Sequence, residues 1–215
     1  MDKPEVVRVL EARDEAKGIK TIKLDKVLDA TPGQFVMLWV PGVGEKPFSM
    51  SSIDDKIEIT FDIKGKFTKA LSKMKKGDLI GVRGPYGNGW DLKGKKNICI
   101  VAGGLGLAPS MPVIESQKCT LIYGTRNVAY IKFKERIESA CKKVIYTTDD
   151  GSFGKHCYAC DVLEEVLTYG KFDLVITCGP EVLMKKVVDI CLKNKIDCQA
   201  SLERYMKCGI GVCGS

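Results

Sequence analysis

Long apolar runs are missing from this chain. None approaches the ~20 consecutive residues that a helix needs to cross a bilayer, which argues against a helical membrane protein. The opening stretch, MDKPEVVRVL, lacks the basic start and apolar segment of a secretory leader. A cytoplasmic location is therefore expected. Aromatic residues are scarce, at 7%, and are not interleaved with the lysines. The formal charge of +7 accordingly predicts a solvated basic surface, with neither nucleic acid nor membrane as a partner. Internal repeats and low-complexity tracts are absent. So is a second cysteine pair that would complete Cys157-x2-Cys160 as a zinc site. That pair, beside His156, reads as two thiols at a helix start.

What the chain does have is 215 residues, 45% hydrophobic and 28% charged. That is enough for one large domain or two small ones with a real core. It also has ten cysteines. Without an export signal, disulfides are the wrong default. Most of the cysteines stand singly in apolar or helical stretches, and two lie close together at the end. Buried thiols plus one metal site are expected.

The first ~95 residues read as short, partly alternating strands, the pattern of a small antiparallel barrel. Val6–Ala12, Ile19–Leu24, Gln34–Val40, Ile57–Ile63 and Leu79–Val82 are the candidates. One helix, Thr68–Lys75, interrupts them. After Gly94-Lys95-Lys96 the character changes. Asn97–Ala102, Cys119–Tyr123, Val144–Thr148 and Phe172–Cys178 are continuous apolar runs, as strands buried on both faces would be. Helical stretches at Leu107–Glu115, Val128–Cys141, Tyr158–Leu167 and Pro180–Lys193 separate them. Strand–helix alternation predicts a doubly wound parallel sheet. The expected architecture is thus an antiparallel barrel over 1–94, an α/β domain over 95–200, and a distinct segment over 201–215.

Four motifs carry chemistry. Val101-Ala-Gly-Gly-Leu-Gly-Leu-Ala-Pro109 links a buried strand to a helix. Its glycines would let backbone approach a pyrophosphate closely, although a plain tight turn has the same composition. Lys46-Pro47-Phe48-Ser49-Met50-Ser51 combines a cation, an aromatic ring and hydroxyls. Such a segment can line a flavin, with Lys46 on phosphate, Phe48 packed on a ring and Ser49 near N5; an ordinary loop with a buried Phe is the alternative. Downstream, Gly65-Lys-Phe-Thr68 opens the short helix, with Thr68 as the expected N-cap. Cys178-Gly179-Pro180 ends the fourth parallel strand, where open α/β sheets bind ligands; Cys178 is a candidate contact for a nicotinamide, and a small apolar residue at a strand end is the alternative. Finally, Cys208-x4-Cys213 matches the first half of the plant-type [2Fe–2S] pattern, Cys-x4-Cys-x2-Cys. The third cysteine of that pattern would fall at position 216, so the expectation is a cluster segment cut short.

Taken with Pro32-Gly-Gln-Phe35, Gly81-Val-Arg-Gly-Pro-Tyr-Gly87, Tyr123-Gly-Thr-Arg126, Thr148-Asp-Asp-Gly151 and Glu203-Arg-Tyr-Met-Lys-Cys208, these motifs resemble the ferredoxin–NADP reductase superfamily. Within it the chain is most similar to electron-transfer subunits of two-subunit, NAD-dependent dihydroorotate dehydrogenases. The resemblance runs along nearly the whole chain. It implies an oxidoreductase subunit that moves electrons between NAD(H), FAD and a [2Fe–2S] cluster. Its implied partner is an FMN-containing catalytic dihydroorotate dehydrogenase subunit of pyrimidine biosynthesis, in a heterotetramer. For FAD it implies Lys46, Pro47, Phe48, Ser49, Ile63, Gly65, Phe67 and Thr68. For the nucleotide it implies Gly103, Gly104, Gly106, Asp149 and Gly179. Ser49 and Cys178 would stand at the reacting atoms, and Cys208 and Cys213 would be the metal ligands. The small subunit of a sulfide dehydrogenase or NADPH–ferredoxin oxidoreductase complex shares these motifs. A non-enzymatic nucleotide-sensing or metal-binding module is the alternative from another class.

Overall fold

Strand formation in the first part of the chain follows its alternation of apolar and polar residues. Strand β1, Glu5–Ala16, buries Val7 and Val9 while leaving Val6 in solvent. A turn through Gly18, at φ +71°, returns it as β2, Ile19–Leu24. Strands β3 (Phe35–Val40), β4 (Gly44–Ser49), β5 (Glu58–Asp62) and β6 (Leu79–Tyr86) follow. All six pair antiparallel in the order β4-β3-β6-β1-β2-β5. Ser52 bridges Glu58, drawing the chain after β4 onto the start of β5. Val9, Ile22, Val36, Leu38, Ile59, Phe61, Ile80 and Val82 fill the interior, closed by Phe67 and Leu71 from helix α1, Lys66–Leu71.

The second part is a parallel sheet, as its apolar runs predict. The strands are β7 (Ile98–Gly103), β8 (Thr120–Thr125), β9 (Lys143–Thr148), β10 (Lys155–His156), β11 (Leu174–Cys178) and β12 (Cys198–Ser201), in the order β10-β9-β8-β7-β11-β12. Every residue of β7 and β11 is buried. Helices α4 (Ala159–Tyr169) and α5 (Glu181–Asn194) cover one face, packing Val162, Leu163, Val166, Val187 and Cys191 on Cys99, Val101, Ile122 and Val175. Helices α2 (Met111–Ser116) and α3 (Lys134–Ala140) lie on the earlier crossovers, which right-handed connections place on the other face. The chain order reverses between β7 and β11, which makes that junction the topological switch point.

This computed structural model describes residues 3–214. The chain divides into two units, Met1–Trp90 with Glu203–Ser215, and Asp91–Leu202. Residues 203–214, expected as a distinct segment, group with the antiparallel unit. Several helices also differ from expectation. The stretch expected as one helix from Leu107 is a 3-10 helix over Gly104–Ser110 followed by the short α2. Pro109 and Pro112 explain this, since neither offers an N–H to a longer α-helical ladder. The stretch from Val128 is interrupted at Phe133, which takes a left-handed φ of +54° before α3 begins. Strand β4 holds Pro47, tolerated because β4 is an edge strand. Polar β12 carries no periodic signal that would mark it.

None of the ten cysteines is in a disulfide; Cys99, Cys119, Cys160, Cys178 and Cys191 are buried, and the other five are partly or fully exposed. Burial pushes the Cys99 thiol up to about 12, which keeps it in the unreactive protonated form. In α4, buried Cys160 lies 3.6 Å from the Asp161 carboxylate, and no group of three potential metal ligands exists among the described residues.

One polar chain runs through the antiparallel core. The Thr21 and Thr60 hydroxyls are 2.7 Å apart, the Ser51 and Thr60 hydroxyls 2.8 Å, and Ser51 Oγ donates to the Glu58 carbonyl at 3.2 Å. It ties β2 and β5 to the segment that follows β4. Thr60→Val preserves shape but removes the central hydroxyl. It should cost about 1–3 kcal/mol, the penalty for stranding buried polar groups, measured as a drop in denaturant midpoint at unchanged m-value.

Candidate functional site

Each unit carries one candidate binding region. In the antiparallel unit it centres on β4 and the start of α1. Lys46 projects from the edge strand, forms no ion pair among the described residues, and lies 5.8 Å from the Tyr205 ring centroid. Pro47 pairs with Met37 and Ser49 with Phe35 across the β3–β4 ladder. The half-buried Ser49 hydroxyl has no hydrogen-bond partner among the described residues, whereas nearby Ser51 is committed to the core network. Ser49 is thus the hydroxyl left available to a ligand.

Phe48, expected on a ligand ring, is half-buried and also has core contacts. It stacks on Phe67 at 5.7 Å and meets Phe61 edge-on at 6.2 Å, so both Phe48 and Phe67 serve the core. Any contact of Phe67 with an anion would use its backbone amide. Thr68 is not the N-cap. Gly65 takes that position, and Thr68 sits at the third helical residue, its hydroxyl accepting from the amides of Lys64 (2.9 Å) and Gly65 (3.1 Å). The amides of Lys66, Phe67 and Thr68 precede the first intrahelical acceptor. Half-buried Ile63 packs against the core just before this turn. A free hydroxyl, an unpaired ammonium and unclaimed amides form a donor set that suits an anionic diphosphate-containing cofactor.

The Cys208 backbone is fastened to this same unit. Arg83 makes a bidentate ion pair with Glu45, both contacts at 2.6 Å, and donates to the Cys208 carbonyl at 2.7 Å. The Glu45 carboxylate holds the Arg83 guanidinium above its usual range. Gly209, at φ +77°, lies so near Met37 that a Cβ would come within 3.0 Å of its sulfur. Cys208 is half-buried and Cys213 exposed. Two thiolates are half of the four that a [2Fe–2S] centre takes. The described residues alone therefore do not complete such a site.

In the parallel unit the switch point brings two backbone turns together. Gly103 ends β7, and its Cβ would strike Leu183 at 2.6 Å and Pro180 at 2.9 Å. A Cβ on Gly106 would come within 2.3 Å of the Cys178 carbonyl oxygen, and one on Gly179 within 3.0 Å of Gly103. Gly103, Gly106 and Gly179 thus let the ends of β7 and β11 close on each other. Gly104 is of another kind. Its φ is +54° and a Cβ there would meet nothing within 4 Å, so it faces open space. Cys178 itself is 2% exposed. Asp149, exposed after β9, donates its amide to the Thr125 carbonyl, and its own carbonyl bonds the His156 ring at 2.9 Å.

One residue here escaped the sequence reading. Lys132 is 1% exposed, and its ammonium donates to the Tyr123 hydroxyl (2.8 Å), the Gly104 carbonyl (3.0 Å) and the Tyr130 carbonyl (3.2 Å). Its signal was a lysine flanked by Ile131 and Phe133.

Comparison with known proteins agrees with this architecture. The family described as an oxidoreductase FAD-binding domain matches residues 17–90. A probable dihydroorotate dehydrogenase B (NAD(+)), electron transfer subunit, of Methanocaldococcus jannaschii is 46% identical over all of this chain and 83% of its own length. The protein of the same description from Pyrococcus furiosus is 44% identical over 97% of this chain and 83% of its own. A solved NADH-dependent reduced ferredoxin-NADP oxidoreductase, described in terms of flavin-based electron bifurcation, superposes with a TM-score of 0.89 at 25% identity. It covers all of this chain and 82% of that one. A Neisseria gonorrhoeae ferredoxin NADP+ reductase with bound FAD and NADP shares the fold at a TM-score of 0.76 and 16% identity. That match covers 94% of this chain and 100% of the reductase.

The glycine contacts give a prediction. Gly106→Ala should lower the melting temperature by several degrees more than Gly104→Ala. The first forces backbone apart, whereas the second adds only left-handed strain of about 1–2 kcal/mol. Thermal unfolding of the two variants side by side checks it. With 46% identity along its full length to a protein so described, the chain belongs to the family of dihydroorotate dehydrogenase B electron transfer subunits.

Proposed function

We propose that this chain carries electrons between NAD(H) and a bound FAD, serving a catalytic dihydroorotate dehydrogenase subunit. The observation that carries the reading is the pairing, in one chain, of an FAD-binding barrel match with a glycine-lined switch point, alongside full-length relatives of that description. When bound, FAD supplies a two-electron acceptor that can release electrons singly, and the protein's work is binding and orientation.

Lys46 and the amides of Lys66, Phe67 and Thr68 bind the FAD diphosphate in this reading, with Gly65 allowing close approach. Lys46 contributes a point charge where an arginine would grip with two parallel bonds. Pro47 and Ile63 supply apolar walls, and the free Ser49 hydroxyl donates toward the reacting edge of the flavin. In the parallel unit the Gly103–Gly106 turn takes the NAD(H) pyrophosphate. Asp149 accepts from a ribose hydroxyl. Gly179 brings the Cys178 backbone up to the nicotinamide. Since Cys178 is buried, its thiol shapes that wall from behind.

Cys208 and Cys213 are proposed as two ligands of a [2Fe–2S] cluster, held at the barrel by Arg83. Because two thiolates do not complete the site, no step is assigned to it. The 215-residue chain should accordingly hold less than stoichiometric iron and acid-labile sulfide, which elemental analysis measures.

The function itself is tested by mixing the flavin-loaded chain with a catalytic dihydroorotate dehydrogenase subunit carrying its own FMN. Dihydroorotate-dependent reduction of NAD+ that requires both chains is expected where the mixture holds a [2Fe–2S] cluster. Sulfide- or ferredoxin-dependent activity in its place would assign the chain to the related complexes instead. For the cofactor, heat-released flavin should be FAD. Lys46→Ala should weaken FAD retention roughly tenfold, the worth of one charge-assisted bond, and Lys46→Arg should preserve or tighten it. Equilibrium dialysis of the three proteins decides the matter.

A further inference from the structure

The Gly104–Leu105 peptide sits where backbone meets ligand in the reading above, and a buried lysine controls it. Lys132 has three N–H donors, and three oxygens receive them: the Tyr123 hydroxyl, the Gly104 carbonyl and the Tyr130 carbonyl. The Tyr123 hydroxyl also lies within 3.4 Å of the Gly104 carbonyl and 3.3 Å of the Tyr130 carbonyl. The ammonium stands 5.4 Å from the Tyr123 ring centroid, so a cation–π contact adds to the bonds. Both side chains are 1% exposed.

Burying a lysine is costly and is tolerated only where its donors are satisfied. Here one of the three bonds goes to the Gly104 carbonyl. In a trans peptide the carbonyl and the following N–H point in opposite directions. A Gly104 carbonyl held inward on the ammonium therefore turns the Leu105 N–H outward. Gly104 has a left-handed φ of +54°, and the side on which its Cβ would lie is open. Without the inward bond, glycine's freedom would let the peptide rotate, exposing a carbonyl to the anion in place of an N–H.

We infer that Lys132, with Tyr123, is a positioning residue for nucleotide binding: it locks the Gly104–Leu105 peptide with its N–H toward the pyrophosphate. The inference rests on the proposed NAD(H) site. It extends that site to a side chain that never touches the ligand.

The test uses flavin-loaded wild type, Lys132→Met and Tyr123→Phe. Lys132→Met should raise the KM for NADH and the dissociation constant of ADP-ribose together, by roughly tenfold, the size of one charge-assisted hydrogen bond. Its kcat should stay within about twofold and its FAD content should be unchanged, since the barrel is untouched. Tyr123→Phe keeps the packing and should give a smaller rise of the same kind. ADP-ribose carries the pyrophosphate without the nicotinamide, so the shared rise assigns the effect to the phosphates. A folded Lys132→Met with wild-type KM and ADP-ribose affinity would overturn the inference, as would a loss confined to kcat. If Lys132→Met does not fold, Tyr123→Phe decides by the same criteria. Failure of the wild type to bind NADH or ADP-ribose would instead sink the underlying function.

Discussion

Everything in the parallel unit depends on how closely two strand ends approach each other. The backbone of Gly106 lies against the Cys178 carbonyl and that of Gly179 against Gly103, at separations that leave no room for a Cβ without movement. This contact draws the ends of β7 and β11 together at the reversal of strand order. A crevice there can be lined by backbone amides. A side chain at Gly103, Gly106 or Gly179 would wedge the two turns apart, so these glycines act first on architecture and only through it on binding. Gly104 alone keeps its open side for a ligand. The buried ammonium of Lys132 then supplies what packing cannot, a fixed orientation for a peptide whose glycine would otherwise turn.

The antiparallel unit meets a similar demand by other means. Its buried polar residues are Glu58, paired with Arg13, and the Thr21–Thr60–Ser51 hydroxyl chain, which fixes the segment following β4. That leaves Ser49 as the free hydroxyl of the motif, and Lys46 as a cation on the edge strand. Beside them, the Arg83–Glu45 pair reaches the Cys208 carbonyl and fastens the cysteine-bearing segment to the unit that matches an FAD-binding domain. Exposed ion pairs are worth little, but this one is bidentate and its arginine side chain is only 10% exposed. Its consequence is geometric: it places the Cys208 backbone.

Much of this was legible in the sequence because period and burial agree. The run Ile98–Gly103 is apolar at every step until its glycine, and it is buried throughout. The barrel strands alternate, and their inward residues form one core. What could not be read comes from tertiary choice. Phe48 has the composition of a ligand-facing aromatic, and its contacts with Phe61 and Phe67 are tertiary ones that the local pattern does not show. Thr68 is an ordinary N-cap residue by type, but Gly65 takes the cap and Thr68 bonds back to it. Gly106 fits a phosphate-binding pattern, while its contacts show a packing role against a loop 70 residues away, which no local pattern reveals. Lys132 was hidden for the converse reason, because a lysine is expected in solvent.

The most direct measurement is an anaerobic titration of the purified, FAD-loaded chain with NADH, followed through the visible flavin absorbance. The account predicts that the oxidised flavin band bleaches with about one NADH per FAD, two electrons moving in a single hydride transfer, with no partner protein present. A chain that holds FAD yet shows no bleaching with excess NADH would contradict it.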